Sequence, residues 1–232
     1  NTAGTTIINS KPSRNHTELM LKSFNYPIKV QKKGQIDKIF IDGLKQFKSF
    51  EYKVPGDISS ASFFIVLTLL SKKSKIIIEG VNVNKSRDGI IQILNRMGAK
   101  IKVKNKKFYK GEEVADIYVK SIKKLNSINC PSKFNSSAID EFLIIFLVAA
   151  KAYGISKFKE LGEMNKKESK RLDLAVKFLR LIGIKVERFR NNINIHGNPE
   201  ITLSKNFEIM NHLKDHRIFF LSCIAALTLG GK

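Results

Sequence analysis

The chain has 232 residues, 43% of them hydrophobic, and its 42 basic and 20 acidic side chains give a formal net charge of +22. This composition excludes a disordered chain, and two cysteines exclude a disulfide-rich scaffold. The longest apolar runs, 142–150 and 218–231, fall short of the about 18–20 residues that cross a bilayer. The charge favours anionic partners, although abundant Lys, Ile, Asn and Phe also fit the codon bias of an AT-rich genome.

Along the chain, one pattern of a polar start, an amphipathic helix, a turn residue and a short strand recurs three times. It occupies residues 13–30, 86–103 and 171–188. The turn residues Asn25, Gly98 and Gly183 suit helix C-caps, where a left-handed backbone is wanted. The pattern therefore predicts three related helix–turn–strand segments.

A second series of helices, apolar nearly all round, interleaves with the first. These predicted helices lie at 56–70, 139–150 and 215–229. Such helices belong in the centre of a domain. Six strand-like segments lie between them, at 75–80, 99–104, 115–120, 155–160, 184–189 and 192–197.

The sequence therefore predicts an α+β fold built from repeated units around a pseudo-threefold axis. Each unit contains a buried helix, a strand, an amphipathic helix and two strands. In such a repeat the helix N-termini converge, and their positive ends favour an anionic ligand. A repeat without any ligand is the alternative.

The segment "KKESKR" (166–171) has the strongest candidates for chemistry. A helix over 166–182 would place Glu168 on the buried stripe, Lys167 and Arg171 at its border, and Lys166 and Lys170 towards water. An inward carboxylate between two cations indicates a polar site. The alternative is an ion pair between Glu168 and Arg171 that caps the first helical turn.

Four further polar clusters lie at predicted helix starts. They are Ser13 with Arg14, Asp57, Asp140 with Glu141, and Asp215 with His216 and Arg217. Ser13, Asp57 and Asp215 are candidate N-caps. Each cluster alone is a weak signal, but their shared position at helix starts indicates a common site.

These residues resemble the motifs of the 3-phosphoshikimate 1-carboxyvinyltransferases, also called EPSP synthases. The matching segments, in the family's order, are "SRNHTELML" (13–21), "VPGDISSASFF" (54–64), "AIDE" (138–141), "KESKRL" (167–172) and "DHRI" (215–218). The resemblance implies the C-terminal half, or slightly more, of a two-domain enzyme whose active site lies between the domains. Residues 1–53 would end the first domain, and 54–232 would form most of the second. We therefore expect a fragment, incomplete at both ends and inactive alone.

The resemblance also implies the role of each candidate residue. Arg171 and Arg217 would bind phosphoenolpyruvate, and Ser13, Arg14 and Lys167 would bind shikimate 3-phosphate. Asp140 would hold the shikimate hydroxyls and act as a base, and Glu168 would transfer protons, so that Asp140, Lys167 and Glu168 form the catalytic group. We expect no metal or cofactor, no nucleic-acid or membrane partner, a cytoplasmic location and a monomeric complete enzyme.

Two residues depart from the family motif. Lys170 replaces its usual Asp, and Asn165 replaces an Arg two positions before the motif lysine. These changes leave a degenerate pseudoenzyme open as an alternative, beside another enolpyruvyl transferase of the same fold. A basic nucleic-acid-binding module is the alternative from a different class, and it would interleave lysines and aromatic residues on one exposed face.

Overall fold

The computed structural model describes residues 4–230 except 12, 44, 45, 47 and 204–214. Its strands are β1 (Thr5–Ser10), β2 (Ile28–Lys33), β3 (Ile36–Asp42), β4 (Lys75–Asn82), β5 (Lys102–Tyr109), β6 (Glu112–Lys120), β7 (Ile155–Phe158), β8 (Val186–Phe189) and β9 (Asn192–His196). Its α-helices are α1 (His16–Ser23), α2 (Ile58–Leu70), α3 (Gly89–Arg96), α4 (Phe142–Ala150), α5 (Arg171–Leu181) and α6 (His216–Leu229). Short 3-10 turns lie at Ser132–Phe134 and Gly162–Lys166.

The strands form three antiparallel three-stranded sheets with one topology. Their orders are β1-β3-β2, β4-β6-β5 and β7-β9-β8, so the last strand of each unit is always central. In each unit an amphipathic helix connects the first strand to the second. All six predicted strands are present, and the α+β fold with repeated units is confirmed.

Each amphipathic helix ends at a residue with a positive φ, as predicted. The φ values are 55° at Asn25, 98° at Gly98 and 86° at Gly183. Glycine adopts this left-handed backbone without a steric penalty, and asparagine tolerates it better than most residues. These residues turn the chain from each helix into the next strand.

The apolar helices α2, α4 and α6 contact one another at the centre of the core. Every residue of α4 is buried, and α2 buries most of its length. Because α4 is apolar on all sides, a central position is the only one that removes its whole surface from water. Helix α6 is less covered, and Phe219, Phe220 and Leu227 are exposed.

Two of the three predicted N-caps are confirmed. The carboxylate of Asp57 accepts the backbone N–H of Ser60, and that of Asp215 accepts the N–H of Arg217. The predicted cap at Ser13 is wrong, because α1 begins at His16 with Asn15 in the capping position. The helix thus begins two residues later than predicted, and residues 13–15 belong to no helix or strand.

The prediction of one helix over 166–182 is also wrong. A 3-10 turn ends at Lys166, the backbone at Lys167 is extended, and α5 begins only at Arg171. Asn165 provides the physical reason, because its side-chain oxygen accepts the backbone N–H of Leu172 at 3.0 Å. Its amide nitrogen also donates to Asp173 at 2.9 Å. Asn165 therefore caps α5 from outside the helix.

Candidate functional site

The charged residues singled out in the sequence meet where several helices begin. Asp140 lies two residues before α4, Arg171 opens α5 and Arg217 lies in the first turn of α6. Arg14 precedes α1, and Lys167 lies in the extended segment before α5. The free backbone N–H groups of helix starts favour negative charge, so this arrangement suits an anion.

Asp140 is the centre of the cluster. Its carboxylate accepts a hydrogen bond from Arg14 and lies 3.5 Å from Nζ of Lys167. Nη1 of Arg171 donates to Oδ1 at 3.1 Å. Nη2 of Arg217 lies 4.0 Å from Oδ2, while its Nη1 donates to the backbone carbonyl of Asp140 at 3.1 Å. Four cations thus surround one carboxylate.

This environment keeps Asp140 ionised. Burial by itself would raise the pKa of this carboxyl group. The hydrogen bond from Arg14 and the surrounding cationic charges outweigh the burial, so the pKa lies well below its usual range. Asp140 is therefore a stable hydrogen-bond acceptor at neutral pH.

Arg171 is the most buried cation of the site, with 2% of its side chain exposed. Its three guanidinium nitrogens bind three carboxylates: Nη1 binds Asp140, Nη2 binds Glu168 at 2.5 Å and Nε binds Asp215 at 2.8 Å. Ser169 also donates to Asp215 at 2.6 Å. An anionic ligand can reach Arg171 only by displacing one of these carboxylates.

Glu168 is the carboxylate that is free to move. The predicted inward position is wrong, since 62% of its side chain is exposed and residues 167–170 are not helical. Its bond to Arg171 is the ion pair that the sequence left as the alternative. The other two partners of Arg171 are buried, with side-chain exposures of 8% for Asp140 and 0% for Asp215.

Ser13 and Lys170 lie at the margin of the site. Both are exposed, and neither side chain forms a hydrogen bond or ion pair within the described ranges. Lys170 occupies the capping position of α5 and points to water, as the sequence predicts. Its departure from the family motif therefore leaves the contacts of Asp140 unchanged.

A second polar cluster lies behind Asp140, and the sequence marked its Asp57 and Glu141 but not their partners Ser59 and Arg87. Ser59 donates a hydrogen bond to Oε1 of the buried Glu141, and Arg87 donates to Ser59 at 2.5 Å and to Asp57 at 3.1 Å. Burial raises the pKa of Glu141, and the opposing effects of Ser59 and Arg87 do not offset it. The pKa values of the neighbouring carboxyl groups 140 and 141 are thus shifted in opposite directions.

A third contact joins the first sheet's helix to the second unit. Nδ1 of His16 lies 2.5 Å from Oε1 of Glu112, a buried residue of β6. Asn84 donates to the other oxygen of Glu112 at 3.0 Å and to Asn15 at 2.9 Å. The only sequence signal for this contact was the polar start of α1, which did not reveal its partner.

The charges of the site are nearly balanced. Four cations face the three carboxylates of Asp140, Glu168 and Asp215, an excess of one positive charge. An arriving phosphate or carboxylate must therefore take the place of an existing carboxylate on these cations. Arginine suits such an exchange, because its planar fork pairs equally well with carboxylate and phosphate.

Within the described ranges, no group of three His, Cys, Asp or Glu side chains could hold a metal ion. Likewise, no helix in these ranges is long and apolar enough to cross a membrane.

The fold is that of the enolpyruvyl transferases. EPSP synthase from Acinetobacter baumannii aligns with 98% of this chain and 51% of its own, with a TM-score of 0.86 and 33% identity. The enolpyruvyl transferase NikO from Streptomyces tendae aligns with 99% of this chain and 50% of its own, with a TM-score of 0.70. Its identity is 16%, so this likeness concerns the fold alone.

The family model of EPSP synthase (3-phosphoshikimate 1-carboxyvinyltransferase) matches residues 1–232, and the chain belongs to this family. The 3-phosphoshikimate 1-carboxyvinyltransferase of Ruthia magnifica is 39% identical over 216 residues, which are 93% of this chain and 48% of the relative. That of Legionella pneumophila (strain Corby) is 38% identical over 221 residues, or 95% of this chain and 49% of the relative. The chain thus spans about half the length of the curated relatives that it matches.

Proposed function

We propose that this chain provides the phosphoenolpyruvate site and part of the shikimate 3-phosphate site of a 3-phosphoshikimate 1-carboxyvinyltransferase. The reaction moves the carboxyvinyl group of phosphoenolpyruvate to the 5-hydroxyl of shikimate 3-phosphate and releases phosphate. The observation that carries this proposal is the meeting of Arg14, Lys167, Arg171 and Arg217 around Asp140. Both substrates are multiply charged anions, and several fixed cations can orient them together.

The proposed roles follow from which cations of the site can exchange a carboxylate partner for a substrate group. Phosphoenolpyruvate displaces the exposed Glu168 from Nη2 of Arg171 and also binds Arg217, whose side chain is 15% exposed. Shikimate 3-phosphate takes Arg14 and Lys167, each 31% exposed, away from Asp140. The neighbouring Ser13 hydroxyl adds a hydrogen bond to the same phosphate.

Once its cations are engaged by substrate, Asp140 accepts hydrogen bonds from the shikimate hydroxyls. It can then assist removal of the proton from the 5-hydroxyl oxygen that attacks the enolpyruvyl carbon. Glu168, released from Arg171, becomes the group that delivers and removes protons at the carboxyvinyl group. Phosphate leaves from the tetrahedral intermediate, and the cations that held it stabilise the departing charge.

The wider organisation is part of the same proposal. Residues 1–53 end the first domain and 54–232 form most of the second, with the substrates between them. The strand pairing supports this division, because β1, β2 and β3 form a sheet of their own, and the contact of Arg14 with Asp140 joins the two parts at the site. We also propose a cytoplasmic, monomeric complete enzyme.

Adding shikimate 3-phosphate to the 232-residue chain should raise its melting temperature, since a ligand that binds only the folded state stabilises it. Lys167→Met should abolish most of this increase, because Nζ of Lys167 faces Asp140 at the site. The matched control is Lys166→Met, a neighbouring lysine that is 72% exposed and paired with Glu163. Equal responses of the two variants, or stabilisation by UDP-N-acetylglucosamine instead, would contradict the proposed substrate.

Turnover can be measured in a chimera that joins this chain to the N-terminal half of the Acinetobacter enzyme. Phosphate release from phosphoenolpyruvate should require shikimate 3-phosphate in this chimera. Glu168→Gln should bind both substrates yet lose turnover, whereas the control Glu163→Gln should keep it. Substrate binding without turnover in the parent chimera would favour the pseudoenzyme, and full turnover in Glu168→Gln would exclude its proton-transfer role.

A further inference from the structure

A large groove lies on the outer face of the second sheet. Its volume is about 1020 Å³. Six lysines line it: Lys75, Lys100, Lys102, Lys104, Lys120 and Lys123. The remaining lining includes Ile77 and Tyr118, which lie opposite each other on β4 and β6. We call this surface the lysine groove.

The lysine groove lies far from the Asp140 cluster. Helix α2 starts beside the bridge between Gly56 and Val81, and its last turn receives the backbone N–H of Ile122, which lines the groove. The groove is thus at the C-terminal end of α2, whereas the site lies where helices begin. The 13 residues of α2 separate the two ends by about 20 Å.

The charge of the lysine groove is largely unpaired. Of the described residues, no Asp or Glu lines it, and none of its six lysines forms an ion pair with a described carboxylate. By contrast, Lys106, which lies on β5 with Lys102 and Lys104, is paired with Glu113 at 2.7 Å. The next outward positions of the sheet hold Glu79 and Asp116, and Asp116 lies opposite Lys104, so these acids border the basic surface.

The centre of the lysine groove is apolar and aromatic. Ile77 is 52% exposed, an unusual position for an isoleucine in the middle of a sheet. Tyr118 lies between Ile77 and Lys102 across the three strands. Nζ of Lys104 lies over its ring at 5.0 Å from the centroid, so a base that stacks on this face takes the place of the lysine.

We propose that the lysine groove binds single-stranded nucleic acid, a second activity independent of the transferase reaction. The six exposed lysines neutralise successive phosphates, and Tyr118 and Ile77 provide the surface on which a base stacks. A single small phosphorylated ligand fits this surface less well. Its cations are all lysines, which act as point charges and lack the planar fork that fixes one phosphate group.

The proposal revises the expectation that the chain has no nucleic-acid partner. The lysine groove has the feature expected of a nucleic-acid-binding surface, because lysines and an aromatic residue are interleaved on one exposed face. The rest of the chain folds as an enolpyruvyl transferase, so nucleic-acid binding adds to the transferase assignment and does not replace it.

The test measures fluorescence anisotropy of a labelled oligonucleotide of about 16 bases with the 232-residue chain over a salt series. Lys102→Glu combined with Lys104→Glu should weaken binding by about tenfold or more and reduce the salt slope by about 1.4, the value for two lost phosphate contacts. The control combines Lys159→Glu with Lys177→Glu, which make the same charge change at two exposed lysines on the third unit. Equal losses in the two double variants would overturn the proposal.

A second variant separates nucleic acid from other polyanions. Tyr118→Ile keeps all six lysines and a strand-forming side chain but removes the stacking ring. Oligonucleotide binding should weaken severalfold, while binding of inorganic polyphosphate should stay unchanged. If Tyr118→Ile leaves oligonucleotide binding intact and polyphosphate competes at equal charge concentration, the groove is a general polyanion surface and the nucleic-acid assignment is wrong.

Discussion

The Asp140 cluster and the lysine groove are both rich in positive charge, yet they are built differently. In the Asp140 cluster, arginines are held by buried carboxylates, and Arg171 is 2% exposed with every guanidinium nitrogen bonded. In the lysine groove all six cations are exposed, and no described carboxylate pairs with them. Paired, buried cations have fixed positions and contribute to the stability of the fold. Unpaired, exposed cations provide long-range attraction without fixed geometry.

The largest expected change in the free energy of unfolding follows from replacing Arg171. Arg171→Met should lower the free energy of unfolding by about 3–5 kcal/mol, because it leaves Asp140 and Asp215 buried without their shared cation. Urea denaturation at neutral pH measures the change. The control Lys170→Met, at the exposed residue before Arg171, should change the free energy of unfolding by less than about 0.5 kcal/mol. Similar values for the two variants would show that burial and pairing do not distinguish these cations.

An intermediate and pH-dependent effect is expected at Asp215. Burial would raise the pKa of Asp215, but hydrogen bonds from Ser169 and Arg171 lower it below its usual value. A lowered pKa stabilises the folded state above the unfolded pKa of about 3.9 and loses this contribution as the pH falls. Asp215→Asn should cost about 1.5–3 kcal/mol at pH 7, measured by urea denaturation, and progressively less below about pH 4.

Glu141→Gln is the matched control for this pH dependence, because it removes a carboxyl group whose pKa is raised. The ionised form of Glu141 opposes folding. Glu141 therefore destabilises the folded state increasingly as the pH rises above its unfolded pKa of about 4.3. Glu141→Gln should therefore gain stability relative to the parent as the pH rises to 7. Urea unfolding curves of the parent and of each variant at pH 3.5 and pH 7 measure the stability change of Asp215→Asn and that of Glu141→Gln. A uniform loss at both pH values would contradict the assignment of a raised pKa.

A smaller effect is expected at Asn165, the residue that departs from the family motif. Asn165→Ala should cost about 1 kcal/mol, since it removes the hydrogen bond that caps α5. Thermal unfolding followed by circular dichroism measures this loss. Lys177→Ala, an exposed position on α5, should change stability by less than about 0.5 kcal/mol. If the two substitutions have equal effects, Asn165 does not cap the helix.

The smallest effect on stability is expected in the lysine groove. Lys102→Glu combined with Lys104→Glu should change the free energy of unfolding by less than about 0.5 kcal/mol per substitution, because both side chains are exposed and without an ion-pair partner. Urea denaturation of the same preparations used for oligonucleotide binding measures it. A loss comparable to that of Arg171→Met would mean that the groove lysines have a structural role.

The elements of the fold could be predicted because their signals are local. Helices apolar on every side indicate a central position, and Asn25, Gly98 and Gly183 mark where amphipathic helices end. Strand segments were located for the same reason, from alternation over a few residues. The starts of α1 and α5 were missed. For α5 the reason is that Asn165 caps a helix that begins six residues later.

The composition of the site was predictable, but its pairing was not. Motif spacing singled out Asp140, Lys167, Arg171 and Arg217, all of which meet in the structure. The partners of Glu141 come from α2 and from the segment before α3, so no single stretch of sequence contains that cluster. The exposure of Glu168 also depends on where α5 begins, which is set by contacts outside the helix.

Two polar contacts between distant parts of the chain give the molecule a mechanical property. Arg14 reaches Asp140, at the start of the third unit, across 126 residues, and His16 reaches Glu112, in the second unit, across 96. The start of α1 is therefore attached to both of the following units. Rotating the first unit away would break both contacts together. A ligand that takes Arg14 from Asp140 therefore changes the stiffness of this joint, and by linkage the angle of the joint changes the affinity for that ligand.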